Sequence, residues 1–252
     1  MFDTHLHIYK EDDFEKIYND ATAHGVRAML LVGTDYEDSA FLSELCKPYK
    51  NVYSSVGVHP HEADKYVNAD LNNFKKLVEE NDKIKAIGEV GLDFYYSHSN
   101  EENQILIFKK FINIANSLSL PVIVHCRDAY EALWKILNEK PPEKFLIHSF
   151  TGTTEWAEKY ISMGAYFSFN GIMTFKKAQN VRDVFSVIPE DKFFAETDSP
   201  YLAPTPFRGK KNNPSYIAKI IECIATERNW SMGKTIDITT SNAKSFFDVT
   251  IQ

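Results

Sequence analysis

The chain has 252 residues, of which 44% are hydrophobic, and its formal net charge is −7 at pH 7. This length suits one large domain and is common among α/β barrels. The negative charge argues against a protein that coats nucleic acid through a broad positive field. Binding of a polyanion at one local site is still compatible with this charge.

Targeting signals and cysteine usage indicate the compartment. No apolar run reaches the roughly 18 residues of a membrane helix, and no charged segment followed by an apolar stretch opens the chain. Cys46, Cys126 and Cys223 are far apart and form no Cys-x-x-Cys pair, which is typical of a reducing compartment. We therefore expect a cytoplasmic protein without a membrane partner. The sequence does not indicate an oligomeric state.

The start of the chain carries a metal-binding pattern in segment 3–7, DTHLH. Alternate side chains of an extended strand share a face, so Asp3, His5 and His7 are expected to point together. Two imidazoles placed in this way can grip one divalent cation. A His-x-His pair also arises by chance on surface strands, so the other histidines and acids must decide between the two interpretations.

Short apolar runs alternate with helical patterns along the rest of the chain. One helical stripe extends from Phe14 to Ala21, with Asp12 or Asp13 as the expected N-cap and Gly25 as the expected C-cap. Near-continuous apolar runs are typical of parallel strands that are covered on both faces. The eight predicted strands are residues 1–3, 28–32, 53–58, 86–90, 122–125, 145–148, 165–169 and 193–196.

Eight strand–helix units of roughly 30 residues predict an α/β fold, a (β/α)8 TIM barrel that spans residues 1–252 as a single domain. An open doubly wound sheet is the alternative. In a barrel, the active site lies at the C-terminal ends of the strands. The Pro- and Lys-rich loop 201–211 follows the eighth strand and is expected to build substrate contacts.

Ligand-type side chains close several of these strands. Glu89, His125 and His148 end the fourth, fifth and sixth runs, and Asp198 lies just past the eighth. So many buried polar groups at one end of a barrel would lack partners, and a metal centre would satisfy them together. The candidate metal ligands are therefore His5, His7, Glu89, His125, His148 and Asp198.

The number of ligands suggests two divalent metal ions. We expect one ion on His5, His7 and Asp198 and a second on His125 and His148, with Glu89 bridging them. A bridging carboxylate holds two cations roughly 3.5–4 Å apart. Four imidazoles favour zinc or manganese over magnesium, which prefers oxygen ligands and is the third alternative.

Six motifs in order resemble the TatD family of metal-dependent deoxyribonucleases, which belong to the amidohydrolase-like barrels. They are DTHLH at 3–7, GVHPH at 57–61, IGEVGLD at 87–93, HCR at 125–127, HSFTG at 148–152 and ETDSPYL at 196–202. The resemblance extends to segment 240–242 and so covers nearly the whole chain. It implies divalent metals, the same six ligands, and DNA hydrolysis, often as a 3′-to-5′ exonuclease. Loop 208–214 departs from the family, which more often has an acid before the proline.

Four further residues are candidates for substrate binding. Arg127 could hold a phosphate oxygen or form a surface ion pair. His61 could donate to phosphate, whereas His59 beside it is read as packing. Asp93 could orient a ligand or serve as a turn acid, and Arg208 could track a polynucleotide backbone or be solvated.

Weaker candidates lie beside these. Lys210 and Lys211 share the basic loop of Arg208, and Tyr95 and Tyr96 could stack on a base. Cys126 is turned away from the ligand beside it by strand alternation, so we interpret it as packing.

The predicted function is a metal-dependent phosphodiesterase that acts on DNA from an end, with RNA or tRNA as other substrates. Asp198 is the predicted catalytic residue, accepting a proton from a water that the metals activate. One alternative is an aminoacyl-tRNA deacylase, a lactonase or another ester or amide hydrolase on the same site. Another is a barrel that binds metal or nucleic acid without turnover.

Overall fold

The computed structural model describes residues 1–96 and 98–251. In this part of the chain, eight parallel strands form one sheet in sequence order. The strands are β1 Phe2–Leu6, β2 Ala28–Val32, β3 Val52–Val56, β4 Ile84–Asp93, β5 Val122–Arg127, β6 Phe145–Ile147, β7 Tyr166–Phe169 and β8 Phe193–Ala195. Because every strand pairs with its successor, the (β/α)8 barrel is confirmed. A doubly wound sheet would reverse its strand order at a switch point.

Helices connect the strands and cover the sheet. They are α1 Phe14–Ala23, α2 Tyr36–Cys46, α3 Ala63–Tyr66, α4 Asn72–Glu80, α5 Glu101–Leu118, α6 Tyr130–Glu139, α7 Thr154–Ser162, α8 Gln179–Val187, α9 Ile217–Arg228 and α10 Met232–Phe247. Three 3-10 turns are at Pro60–Glu62, Gly171–Thr174 and Pro214–Tyr216. Of the two expected caps of α1, Asp13 accepts from the Lys16 amide, and His24 is the C-cap instead of Gly25. None of the helices described is long and apolar enough to cross a bilayer.

The last strand meets the first just beyond the regular sheet. Leu6 and Ser199 form an isolated parallel bridge, in which the His7 amide donates to the Ser199 carbonyl at 2.7 Å. The Asp198 amide donates to the His5 carbonyl at 2.9 Å. These contacts close the barrel with the candidate ligands of β1 and β8 side by side.

Two apolar layers surround the sheet. The inner layer combines alternate residues of the strands with Phe246 and Phe247 of α10, and it includes Phe2, Leu30, Ile123, Leu146 and Phe194. The outer layer packs the other strand residues against the helices. The barrel is therefore filled by side chains, and the candidate ligands lie at its C-terminal mouth.

Two strands that carry ligands do not alternate regularly, contrary to the expected pattern. The pairing register shifts between Asp3 and Leu6 in β1, and between Ile87 and Val90 in β4. Phe2 packs in the inner layer, whereas Leu6, an even number of positions later, packs in the outer one. Irregularities of this kind re-aim side chains beside active sites.

Strand β4 also differs from its predicted end. It extends past Glu89 to Asp93, so Glu89 lies inside the strand rather than closing it. Gly91, at φ 147°, makes this path possible, because a Cβ there would lie 2.0 Å from the His125 carbonyl oxygen. Likewise β5 continues two residues beyond His125, to Arg127.

Candidate metal centre

The buried carboxylate of Glu89 lies at the centre of the histidine cluster. Its Oε2 is 3.3 Å from His5 Nε2 and 3.9 Å from His7 Nε2. Its Oε1 is 2.7 Å from both His125 Nδ1 and His148 Nε2. The two oxygens of one carboxylate thus face two different pairs of imidazoles, which is the geometry of a bridging ligand.

Asp198 completes the side of the cluster formed by β1 and β8. Its Oδ1 is 3.8 Å from His5 Nε2 and 3.4 Å from His7 Nε2. Its backbone is in the left-handed region, at φ 55°, which Asp tolerates better than most residues. The neighbouring Thr197 holds it there, since its amide and hydroxyl donate to the buried Asp3 carboxylate at 2.8 and 2.6 Å.

The donor set fits divalent metal ions. Neither ring nitrogen of fully buried His5 makes a hydrogen bond within the described residues, nor does His148 Nδ1. Buried polar atoms without partners are costly, and coordination would satisfy at least one nitrogen of each ring. Over residues 1–96 and 98–251, three groups have ligand atoms close enough to share an ion: His5, His148 and Asp198; His5, His7 and Glu89; and His59, Glu89 and His125.

Charges within the cluster compensate one another. Burial opposes ionisation of Glu89, but the charges of His148, His59 and His5 outweigh it and hold the carboxyl pKa well below its usual value. Burial likewise lowers the pKa of His148, but Glu89 and Glu196 outweigh it and raise that pKa well above its usual value. The centre therefore presents ionised carboxylates, as a cation site requires.

Asp93 links the cluster to the rim of the barrel. Its Oδ2 accepts from His125 Nε2 at 3.1 Å and from His61 Nε2 at 2.9 Å. Its Oδ1 accepts from the amides of Tyr95 and Tyr96 at 3.0 and 2.9 Å. Although burial opposes it, these bonds lower the pKa of Asp93. Because Asp93 holds Nε2 of His125, the other ring nitrogen is directed at Glu89.

Another buried acid, Glu196, was not among the predicted site residues. Its Oε1 lies 3.6 Å from His148 Nδ1 and accepts from the Ser149 amide at 2.9 Å. The Ser168 hydroxyl and the Asn170 amide group also donate to this carboxylate. Glu196 follows β8 only two residues before Asp198, and that proximity is the signal that could have identified it.

His59 belongs to the cluster, although its sequence context favoured packing. Its Nε2 is 3.7 Å from Glu89 Oε1, and its Nδ1 accepts from the His61 amide at 3.2 Å. Burial holds the pKa of His59 well below its usual value. Its His-x-His spacing repeats that of His5 and His7.

A cavity of about 860 Å³ opens above the cluster. Its walls include the candidate ligands His7, Glu89, His125, His148 and Asp198, together with His59, His61, Asp93, Tyr9, Tyr95, Tyr96, Arg127, Tyr130 and Tyr201. Three of the four predicted substrate residues, His61, Asp93 and Arg127, therefore line the same space as the ligands. On the opposite wall, the hydroxyls of Tyr9 and Tyr201 are 2.6 Å apart.

The basic side chains Arg208 and Lys211 of the loop after β8 lie outside this cavity, contrary to the substrate contact expected of Arg208. Arg208 packs its guanidinium 4.4 Å from the centre of the Phe175 ring, and Lys211 pairs with Asp12 at 2.8 Å. Among the described residues, the lining of the cavity includes neither of them. Cys126 is buried in the outer apolar layer, in agreement with its interpretation as packing.

Comparisons with known proteins cover the whole fold. A family model described as TatD related DNase matches residues 2–248. An uncharacterized metal-dependent hydrolase of Bacillus subtilis is 37% identical over 254 residues, with 99% of each chain covered. A protein of Escherichia fergusonii named as the 3′-5′ ssDNA/RNA exonuclease TatD is 32% identical over 260 residues, also with 99% of each covered.

Solved structures agree with these relatives. The crystal structure of a TatD homologue from Escherichia coli K12 superposes with a TM-score of 0.93 at 25% identity, covering 99% of this chain and 98% of that one. A TatD family hydrolase from Entamoeba histolytica has a TM-score of 0.85 at 20% identity, with coverage of 98% and 97%, and supports the fold.

Proposed function

The chain belongs to the TatD-related DNase family and is a metal-dependent hydrolase, and from that premise we propose that it hydrolyses DNA phosphodiester bonds from the 3′ end. One relative, 32% identical, is named as a 3′-5′ exonuclease. The observation that carries the proposal is the Glu89 carboxylate, whose two oxygens face separate histidine pairs. That geometry suits two cations on one phosphate.

The proposal assigns two ions to this centre. His5, His7 and Asp198 would hold the first, and His125 and His148 the second, with Glu89 between them. When bound, such ions activate water for attack and neutralise phosphoryl charge. Imidazole-rich ligation favours zinc or manganese over magnesium.

The residues of this chain supply the proton acceptor. Asp198 lies beside His7 with its side chain 13% exposed, so its carboxylate reaches both the cluster and the cavity. As the attacking water forms its bond to phosphorus, Asp198 accepts the water proton and the bond to the leaving oxygen breaks. The proton then passes from Asp198 to solvent, and the leaving oxygen takes a proton from solvent.

Arg127 would hold the phosphate. Its guanidinium makes no hydrogen bond or ion pair with any of the residues described and lines the cavity, so its planar donors are available for two phosphoryl oxygens. His61 would donate to the same phosphate while Asp93 fixes its ring. Both residues are on the wall formed by β4, β5 and the turn after β3.

The test uses metal-loaded protein with end-labelled single-stranded DNA, duplex DNA, RNA and an aminoacyl ester. We expect a ladder that shortens from the 3′ end of DNA, that chelator abolishes, and that added metal restores. Asp198→Asn should form the ladder ~10²-fold more slowly or worse, whereas Leu106→Ala, at an exposed position outside the cavity, should match wild type.

Other product patterns would contradict the proposal. Hydrolysis of the aminoacyl ester alone would identify a deacylase, and hydrolysis of RNA alone would identify a ribonuclease. Internal cleavage without a ladder would contradict the exonuclease mode. Full metal occupancy without hydrolysis of any substrate would indicate a binding protein.

A further inference from the structure

Three of the six exposed large apolar side chains in the described structure lie at one place, the mouth of the cavity. They are Tyr95, Tyr96 and Tyr201, which are 57%, 42% and 52% exposed. Exposed apolar surface that gathers beside a polar cavity is typical of ligand-binding grooves. Tyr201 pairs with Tyr9 beside β1 and β8, whereas Tyr95 and Tyr96 stand across the barrel, beside β4 and β5.

Tyr95 and Tyr96 share an arginine. The guanidinium carbon of Arg127 is 4.2 Å from the Tyr95 ring centre and 4.6 Å from that of Tyr96, within cation–π range. The two rings meet edge to face, with their centres 4.8 Å apart and their planes at 89°. The arginine is thus held by two rings while its hydrogen-bond donors stay free for an anion.

The two tyrosines differ in what covers them. His98 stacks on Tyr96 at 5.7 Å between ring centres, and the edge of His61 approaches it at the same distance. In the described residues, the ring contacts of Tyr95 are limited to Tyr96 and Arg127. Tyr95, 57% exposed, is therefore the less covered of the two rings, whereas Tyr96 packs against His61 and His98 within the wall.

The backbone ties this rim to the metal ligands. The amides of Tyr95 and Tyr96 donate to Asp93 Oδ1, and Asp93 Oδ2 accepts from His125 Nε2. One carboxylate therefore fixes the aromatic turn relative to a ligand of the centre. An exposed ring beside a free guanidinium matches adjoining parts of one nucleotide, a flat base and a phosphate.

We infer that Tyr95 is a stacking platform for an unpaired base of the polynucleotide, next to the phosphate that Arg127 holds. This inference rests on the proposed nuclease function and adds a specificity residue to it. Stacking on an aromatic side chain is tolerant of base identity because every base has a π-face. The subsite therefore selects for the presence of an accessible base and not for its sequence.

The first experiment compares metal-loaded wild type and variants on single-stranded DNA and on the same strand with an abasic site at the first, second or third position from its 3′ end. For wild type, loss of the base at one of these positions should lower kcat/KM by about 5-fold or more. Tyr95→Leu should lower kcat/KM more on intact DNA than on the abasic strand, because it removes the base contact as well as part of the support of Arg127, whereas the abasic strand can lose only that support. Tyr95→Phe, which keeps the π-face, should retain wild-type discrimination.

Two control variants separate stacking from other losses. Tyr96→Leu should weaken turnover of intact and abasic strands alike, because it loosens Arg127 but leaves the contact between Tyr95 and the base in place. Met232→Ala, which removes an exposed apolar side chain outside the cavity, should change neither. Equal loss on both substrates for Tyr95→Leu, or no loss on either, would overturn the inference.

The second experiment detects base stacking on Tyr95 by fluorescence and does not require turnover. A strand carrying 2-aminopurine at the sensitive position is titrated with metal-loaded Asp198→Asn, with and without Tyr95→Leu. Stacking should quench the fluorescence in the first protein and not in the double variant. If wild type hydrolyses no oligonucleotide, the proposed function fails, yet Tyr95-dependent quenching would still support the subsite. Quenching that is the same in both proteins would exclude it.

Discussion

At the residue scale, Glu89 is the side chain on which the proposed second metal would depend. The ion on His125 and His148 would have Glu89 as its third ligand, whereas the other ion would have Asp198 as well as two imidazoles. The glutamine side chain in Glu89→Gln offers one coordinating oxygen, and its NH2 group repels a cation. We therefore expect metal titration to show one site weakened strongly and one retained.

The matched control for this change is Glu79→Gln, at an exposed position of α4, which should bind metal as wild type does. The measurement is calorimetric titration of metal-free protein together with elemental analysis. Two sites of unchanged affinity in Glu89→Gln would remove its bridging role.

Asp198 carries the proposed chemistry, and its removal separates activity from folding. Asp198→Asn keeps the shape and one coordinating oxygen but removes the charge and the basicity. We expect normal folding, retention of at least one metal, and hydrolysis of a DNA oligonucleotide lowered by ~10²-fold or more. Turnover is measured at saturating metal beside a thermal melt of both proteins. Near-wild-type turnover at full metal occupancy would show that another residue, with His61 the next candidate, is the base.

At the scale of elements, the irregular strand β4 sets the ligand geometry. The register shift between Ile87 and Val90 allows Glu89 to face the barrel mouth while Val90 packs in the outer layer. Gly91 then passes so close to β5 that no side chain fits between them. The position of Glu89 relative to His125 therefore depends on a glycine that has no chemical role of its own.

Gly91→Ala tests this dependence. Its Cβ would lie 2.0 Å from the His125 carbonyl oxygen at a strained φ, so the strands must separate. We expect the free energy of unfolding to fall by about 3 kcal/mol or more, together with weaker metal binding. Gly164→Ala also has a positive φ, 83°, but nothing lies within 4 Å of its added Cβ. For this control, we expect the free energy of unfolding to fall by only about 1 kcal/mol.

Urea unfolding of both variants with matched m-values measures the difference. Equal losses would mean that the backbone angle alone matters and that the contact with β5 does not.

At the scale of the whole molecule, the candidate centre joins strands from opposite sides of the barrel. His5 belongs to β1, Glu89 to β4 and His125 to β5, while His148 and Asp198 follow β6 and β8. A metal that binds these residues only when they are assembled must stabilise the native state. At free metal of 100 times Kd, linkage predicts about 2.7 kcal/mol.

For a chain of this size, that stabilisation corresponds to a Tm that is about 5–10 °C higher with metal than with chelator. The measurement is a thermal melt of metal-loaded and chelated protein at equal ionic strength, with occupancy checked by elemental analysis. Glu89→Gln should show a smaller shift than wild type. Identical melting of fully loaded and fully stripped wild type would place the metal outside the barrel centre.

The sequence by itself determined the fold and the chemical type of the centre. Eight apolar runs of strand length, separated by stripes of period 3.6, can bury their surfaces together in a closed barrel, and the structure has that barrel in the expected order. Because parallel strands bring their carboxyl ends to one side, residues as distant as His5 and Asp198 could be expected to meet. In the structure, His5 Nε2 and Asp198 Oδ1 are 3.8 Å apart.

Only the tertiary structure decided how these groups face one another. The regular alternation of side chains along a strand predicts which face of the sheet each residue occupies. It does not predict register shifts, because a shift depends on pairing with a neighbouring strand. For this reason Glu89 was expected at the end of β4, although it lies inside that strand. The positions of His59 and Glu196 in the cluster were missed for a similar reason. Their contacts join segments that are distant from each other in the sequence. Likewise, the lower exposure of Tyr96 relative to Tyr95 arises from the packing of His61 and His98 against the Tyr96 ring, and no local pattern encodes that packing.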